Sequence, residues 1–396
     1  MTTWEPFTTL LFVFSVLALA VSSVSRLLVW RVVRHRPKDS RCGDKVNILK
    51  PLCGADASLS ENLAAFARQS HQQLDIVFGV AAQSDEALPH ALRFCRTHAS
   101  VETRINVGES SHIDNPKLAL LSRMNRFSDG DWVVVSDSNV RVSERYVEDA
   151  LAHAAPDVGL ITHLVSGCGG SSVAAYLENL QLNCFVAPGV CGVRFIAGRT
   201  CVIGKSMFLR REALDAIGGF ESAGSYLAED YVMGQAIEKA GYRVVTASMP
   251  VPAWSEGWTL ERFINRHLRW AVMRRRVSRS AYLTEALLTP APALLFLVGL
   301  GLAAPETGIN VGWVLLCLLL EQLLDALTYM RMTGRAVPLA AIALNPLRQW
   351  LTLLIWAMGW FVQTVEWRGR VYRIGPGSRL EPVTAPGPTA EPEATR

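Results

Sequence analysis

Asp137 and Asn139, separated by Ser138, follow the β-branched run Val133-Val134-Val135. The valines favour a buried pleated strand. The polar residues then fall at its carboxyl end, where open α/β sheets bind ligands. A carboxylate and a carbonyl oxygen two residues apart suit a hard divalent cation, Mg²⁺ or Mn²⁺, carrying a diphosphate. The alternative is an Asx turn ahead of a helix beginning near Ser143. Asp85 follows a second apolar run, where a carboxylate can hydrogen-bond the base or ribose of a nucleotide; it also fits an ordinary loop aspartate. Lys117, in Asn115-Pro116-Lys117, opens a helix whose N–H groups already favour anions, and a surface ion pair is the plainer use of it.

Two further groups belong with these. Glu229 and Asp230, in Ala228-Glu229-Asp230-Tyr231, follow a glycine-rich loop and open a helix. Adjacent acids there serve as capping residues through the helix dipole. Asp230 also suits a general base that takes the proton from an attacking hydroxyl. Arg266, Arg269 and Trp270 form an R-x-x-R-W pentad. Arginines suit bidentate phosphate contacts, and the indole offers a flat face to a sugar or lipid.

These residues need a scaffold, and residues 46–250 read as alternating strands and helices. Strands are expected at Val46–Leu52, Leu74–Ala81, Val101–Val107, the run ending at Asp137, Val158–Val165, Thr200–Leu209 and Tyr242–Ala247. Helices are expected over Ser60–Gln69, over Ala87–His98 and from Asn115 onward. The alternation predicts an α/β, Rossmann-like layer with a mainly parallel sheet, occupying residues 44–258.

Apolar segments flank that layer. Phe7 to Val24 carries no charge, and an anchor over residues 1–30 can cross a hydrocarbon core of roughly 30 Å. A signal peptide would carry a basic stretch first, whereas here Arg26, Arg31, Arg34, Arg36, Lys38, Arg41 and Lys45 follow the run. The positive-inside rule places the following domain in the cytoplasm. Residues 259–282 place Phe263, Trp270 and Val277 at helical spacing among arginines, the pattern of a helix lying in the membrane interface. A basic stop before the next span accounts equally well for Arg274–Arg276. Residues 283–370 hold spans near Leu283–Ala304 and Val311–Thr328, then an apolar stretch broken by Asn345-Pro346 and Arg348 that reads as a re-entrant hairpin or an interfacial piece plus a tilted helix. Glu321 and Asp325 are intramembrane acids, with Arg348 as a partner or a plain interhelical hydrogen bond as their use. Residues 375–396 are rich in Pro, Gly, Thr and Glu and read as a disordered tail.

The net charge of +4 is gathered beside the apolar segments, which points to membrane topology and away from nucleic acid. The eight cysteines form no C-x-x-C pair, so reduced core thiols in a cytosolic domain fit better than disulfides or zinc ligands.

An acid after the second strand, D-S-N after the central one, E-D further on and R-x-x-R-W before the spans together resemble the ceramide glucosyltransferase family, a membrane-bound branch of the GT-A glycosyltransferases. The resemblance also covers Lys50-Pro51-Leu52-Cys53-Gly54-Ala55-Asp56, Asn115-Pro116-Lys117, Thr200–Arg211 and Trp367-Arg368-Gly369-Arg370. The chain is equally similar to the hopanoid-biosynthesis glycosyltransferases. The resemblance implies a multi-pass membrane protein, of bacterial inner-membrane type, that moves glucose or N-acetylglucosamine from a UDP-sugar to a lipid hydroxyl with inversion. It implies that Asp85, Lys117, Asp137, Arg266, Arg269 and Trp270 hold the donor, that Asp137 and Asn139 hold a divalent metal, and that Asp230 is the base. Asn139 stands where a strict D-x-D motif has its second acid, and Pro188-Gly189 where animal ceramide enzymes carry a histidine near the acceptor. A processive polysaccharide synthase shares the motif logic, but the spans here are few. A scaffold or transporter that kept the fold without activity would be marked by disruption of Asp137 or Asp230, and both are present.

Overall fold

The structure is a computed structural model that describes residues 5–34 and 43–382. Arg36, Lys38 and Arg41 of the basic stretch, Cys42, and the expected tail from residue 383 lie outside the described residues. The chain begins with a long apolar helix, α1 (Glu5–Arg34). The α/β layer follows as β1 (Val46–Pro51), α2 (Leu59–Ala64), β2 (Leu74–Val80), α3 (Leu88–Thr97), β3 (Glu102–Val107), α4 (Pro116–Asn125), β4 (Trp132–Ser136) and α5 (Tyr146–Leu151). Next come β5 (Val158–Thr162), β6 (Val165–Cys168), the apolar helices α6 (Val173–Gln181) and α7 (Ala187–Ala197), then β7 (Ser206–Arg210), α8 (Arg211–Ala216), α9 (Glu229–Lys239), β8 (Arg243–Thr246) and β9 (Val251–Trp254).

Seven strands form one sheet in the order β3-β2-β1-β4-β7-β5-β8. Only β7 runs against its neighbours, pairing antiparallel with β4 and β5. Side chains alternate across the sheet, so Ile48, Ile76, Val134 and Phe208 meet α2, α3 and α5 on one face, while Leu49, Val77, Val133 and Met207 meet α4, α8 and α9 on the other. Strands buried on both faces read as near-continuous apolar runs, which is why β1, β2 and β4 are plain in the sequence. The expected strand Val158–Val165 divides at His163 and Leu164 into β5 and β6, and β6 leaves the sheet to pair with β9. The strand expected over Thr200–Leu209 begins only at Ser206, and residues 200–205 are a loop on the site side of it. The seven described cysteines are free thiols.

Beyond β9 lie α10 (Leu260–Val277), α11 (Arg279–Thr284), α12 (Ala291–Ala303), α13 (Val311–Thr333) and α14 (Leu339–Met358). Four helical stretches are long and apolar enough to cross a membrane, at Pro6–Val33, Val173–Ala197, Val311–Thr333 and Leu339–Met358. A fifth arises if Arg279–Leu288 and Ala291–Ala303, bent by 51°, form one span. The stretch over α6 and α7, joined by a π-helical turn at Leu182–Val186, was not anticipated. Glu178, Asn179, Asn183 and Pro188-Gly189 interrupt its apolar pattern, and the structure buries the first three in protein contacts.

Arg26 was counted above among the basic residues that follow the first span. It is instead buried against Glu321 (2.7 Å) and Asp325 (2.6 Å). Asp325 also pairs with Arg348 at 3.0 Å, as the sequence allowed. The chain past α14 corrects the expected boundaries at 370 and 375. Residues 364–382 form a three-stranded antiparallel sheet of β10 (Thr364–Trp367), β11 (Arg370–Ile374) and β12 (Leu380–Pro382). Its first turn, Arg368-Gly369, has positive φ at both residues (50° and 74°), the backbone of a two-residue hairpin whose twist matches the strands.

Candidate active site

β4 ends at Ser136, which pairs with Ser206 at the start of β7. Because the two strands are antiparallel, the residue after one lies beside the residue before the other. The Asp137 amide therefore donates to the Lys205 carbonyl at 3.2 Å. The Lys205 ammonium reaches Asn139 Oδ1 at 2.7 Å and Asp137 Oδ2 at 3.4 Å. Lys117 comes from the opposite side. Asn115 caps α4 by accepting from the amides of Lys117 and Leu118, which fixes the direction of the helix start. The Lys117 ammonium then donates to the Gly204 carbonyl (2.8 Å) and pairs with Asp137 Oδ1 and Glu229 Oε1, each at 3.2 Å.

Asp230 opens α9 beside this group. Its Oδ2 accepts from the Gly204 amide at 2.6 Å and its Oδ1 from the Tyr231 amide at 2.8 Å. Gly204 is held so closely that an added Cβ would lie 3.0 Å from Asp230 Oδ2 and 3.1 Å from the Lys117 ammonium. One short turn, Gly204-Lys205, thus joins Asp137, Asn139, Lys117 and Asp230.

The electrostatics follow from this packing. Burial alone would raise the Asp137 carboxyl, but Lys117, Lys205 and Arg266 outweigh it and hold it well below the usual carboxylate range. Burial opposes the charge on Lys117, yet Asp137, Glu229 and Asp230 raise its pKa above the ordinary lysine value. Lys205 is pulled down to about 8 by burial and by Arg266. Asp230 moves the other way from Asp137: burial and the neighbouring Glu229 push it up to about 7, against the pull of Lys117. Two carboxylates in one pocket are thus driven apart in acidity, the pattern that separates a permanent anion from a group able to exchange protons near neutrality.

The R-x-x-R-W pentad lies on α10, whose buried side carries Phe263, His267 and Ala271. That side meets protein: Phe263 and Ala271 cluster with Ala175 and Leu177 of α6 and Ile355 of α14. Arg266 pairs with Glu178 at 3.0 Å and lies over the rings of Trp258 and Trp270, at 5.0 and 4.5 Å from their centres. His267 reaches the same Glu178 at 2.6 Å. Arg269 lies over Trp367 and donates to the Glu366 carbonyl. The C-terminal sheet is bonded to the segments on both sides of these residues. Arg368 donates to the Pro116 carbonyl at the start of α4, and Ser378 accepts the Ala228 amide with Oγ and the Leu227 amide with its carbonyl, just ahead of Asp230.

Asp85 lies apart from this cluster. It follows β2, two strands from β4 in the sheet order, and its carboxylate accepts from the amides of Gly54 and Ala87. The Gly54 contact ties it to the residues after β1, the strand that lies between β2 and β4.

The residues expected to hold a metal do not fit one as they are arranged. Both oxygens of Asp137 and the carbonyl oxygen of Asn139 face ammonium groups. Among the described residues no group of three or more His, Cys, Asp and Glu side chains is placed to hold a metal ion. As arranged here, the carbonyl oxygen of Asn139, expected to face a metal, accepts from Lys205. Sequence reasoning also passed over Lys50, Glu178, Lys205 and His267. Lys50 is buried at the end of β1 and donates to the Asp137 carbonyl at 2.6 Å. The available signal was a charged residue inside an otherwise apolar stretch, for Lys50 in β1 and for Lys205 next to β7.

The chain matches known proteins over nearly its full length. The profile of the family described as "Glycosyl transferase family 21" matches residues 10–380. Ceramide glucosyltransferase 3 of Caenorhabditis elegans is 23% identical over 365 residues, which span 88% of this chain and 77% of that protein. Ceramide glucosyltransferase 1 of the same organism is 25% identical over 233 residues, 58% of this chain and 49% of that one. Among solved structures, the mannosyltransferase PcManGT from Pyrobaculum calidifontis, in complex with GDP-Man and Mn²⁺, superimposes with a TM-score of 0.52. It covers 84% of this chain and 98% of its own at 18% identity, a likeness of fold. The mixed sheet with its single reversed strand is that GT-A-like fold.

Proposed function

We propose, from the premise that this chain belongs to glycosyl transferase family 21 and is a sugar-transferring enzyme, that it moves one glucose or N-acetylglucosamine from a UDP-sugar to a hydroxyl of a membrane lipid, a hopanoid polyol or ceramide, with inversion. The observation that carries this reading is the meeting of Asp137, Lys117 and Asp230 around the Gly204-Lys205 turn. Asp85 takes the nucleoside end of the donor. Lys117, with Arg266 and Arg269, faces the diphosphate. Asp230 accepts the proton of the acceptor hydroxyl as its oxygen attacks the anomeric carbon. The new carbon–oxygen bond forms as the bond to the β-phosphate oxygen breaks, and the electron pair leaves with UDP. Fixed cations aimed at that developing charge lower the barrier because they need no reorganisation during the step. A single displacement inverts the anomeric centre.

Support for a lipid acceptor comes from α10. Its inner side is packed against α6 and α14, both among the helices apolar enough for a membrane, and Arg266 reaches Glu178 of α6, while Arg269 lies over Trp367 of the C-terminal sheet. A water-soluble donor and a lipid hydroxyl can therefore meet along one helix. The basic residues that follow the first apolar run support a cytoplasmic position for the α/β domain.

The test is release of UDP by the detergent-purified protein with UDP-glucose or UDP-N-acetylglucosamine, each paired with ceramide and with a hopanoid polyol. One pair is expected to give a β-linked glycolipid. An α-linked product contradicts the single displacement, and free sugar or a polymer contradicts transfer of one unit to lipid.

A further inference from the structure

We propose that the Lys205 ammonium takes the place of a divalent cation between Asp137 and Asn139, so that this protein holds and stabilises a departing nucleoside diphosphate without a metal. The proposal rests on the sugar-nucleotide reading above and names the group that meets the leaving phosphate.

The placement is built into the sheet. Antiparallel pairing of Ser136 with Ser206 sets residue 205 beside residue 137, and no change of rotamer moves that backbone. Lys205 is 6% exposed, with its ammonium between the two oxygens that a metal would need. Mg²⁺ and Mn²⁺ bind through several oxygens close to the ion, about 2.0–2.1 Å for Mg²⁺. Here one of the two candidate side chains is a neutral amide, and the other is already shared by two ammonium groups. Asn139 fits both of its neighbours: its carbonyl accepts the ammonium, while its amide hydrogens are turned toward the Trp254 carbonyl at 3.4 Å, an acceptor that an aspartate oxygen could not face. Charge balance points the same way. Lys117 is paired with both Asp137 and Glu229, whereas Lys205 has only the longer contact to Asp137, the neutral Asn139 and the through-space pull of Glu178. Its positive charge is the less fully answered of the two, and Arg266 adds to it. When the bond from the anomeric carbon to the β-phosphate oxygen breaks, that oxygen gains the electron pair, and an ammonium donating to it supplies the role otherwise given to a cation.

The experiment uses the full chain in detergent. Binding of UDP and of uridine is measured by calorimetry in EDTA and in Mn²⁺, and uptake of Mn²⁺ is followed by the free-ion EPR signal. UDP is expected to bind within about twofold of the same affinity in both buffers, with no depletion of free Mn²⁺. Loss of a charged hydrogen bond corresponds to a factor of about 10 or more, so Lys205→Met should weaken UDP by at least that much and leave uridine unchanged. Lys205→Arg should recover most of the loss. The double change Asn139→Asp with Lys205→Met should create Mn²⁺ uptake where the wild type shows none. The wild-type comparison stands even if a variant fails to fold. UDP binding that EDTA abolishes, with Mn²⁺ taken up by the wild type, overturns the lysine's role and leaves the sugar-nucleotide reading standing. Absence of UDP binding in both buffers overturns both.

Discussion

Asp230 is the residue whose surroundings say most about what it does. Its carboxyl is raised to about 7 by burial and by Glu229, so the group changes charge in the range where a base must both take and release a proton. Turnover should therefore fall on the acid side with an apparent pKa near 7, checked by the pH profile of UDP release. The same shift has a cost in stability. A carboxyl near 3.9 in the unfolded chain and near 7 in the folded one favours the fold fully below the unfolded value, and that contribution is lost as pH rises through 7. Asp230→Asn, which keeps the shape and removes the charge, should accordingly raise the thermal midpoint at pH 8, with the gain shrinking toward pH 5. A midpoint equally changed at both pH values would contradict the shift. Asp137, Lys117 and Asp230 were legible because each stands at the end of a clear strand or the start of a clear helix. Lys205 was not, since only the reversed direction of β7 brings it to Asp137, and strand direction leaves no mark in local sequence. The contact of Asn139 was hidden for the same reason: its partner comes from 66 positions away.

At the scale of elements, the C-terminal sheet is the part that composition hid. Pro376, Gly377 and Ser378 look like a flexible tail, yet Ser378 is fully buried with φ at 72°, and it ties down Leu227 and Ala228, the two residues before Glu229-Asp230. The information lies in pairing with β11, a non-local contact that a polar, proline-rich stretch does not announce. Ser378→Ala leaves a buried N–H without its hydroxyl partner, a loss of about 1–3 kcal/mol. The expected outcome is faster amide exchange at Ala228 and lower turnover; unchanged exchange there would detach this sheet from the site. The stretch expected as one helix over 259–282 divides at Ser278 into α10 and α11, and the inner side of α10, expected to meet lipid, meets α6 and α14. Periodicity tells which side of a helix is apolar and does not tell what covers it.

Across the whole molecule, three of the described membrane-type helices, α1, α13 and α14, are joined by charge as well as by apolar contact. Arg26 of α1, Glu321 and Asp325 of α13, and Asn345, Arg348 and Gln349 of α14 form one buried network. Buried ions gain little over apolar packing but are costly to leave half-paired, so the network fixes how α1 sits on the others. Asp325→Ala takes away the carboxylate of Arg348 and leaves Arg26 with Glu321 alone, and should destabilise the protein by about 3–5 kcal/mol, read as a lower thermal midpoint in detergent. An unchanged midpoint would mean that water or lipid headgroups already satisfy the two arginines. The acids and Arg348 were visible from sequence as charges in apolar runs, whereas Arg26 passed as one of the basic residues flanking a span.

The central claim is that Asp230 is the base of a sugar-transfer site shared with Asp137 and Lys117. Asp230→Asn in the full chain, tested side by side for UDP binding and for transfer to lipid, addresses it most directly. Donor binding should stay within a few fold of wild type while transfer falls by about 10² or more, the usual worth of a positioned base. Transfer at the wild-type rate by that variant would contradict the account.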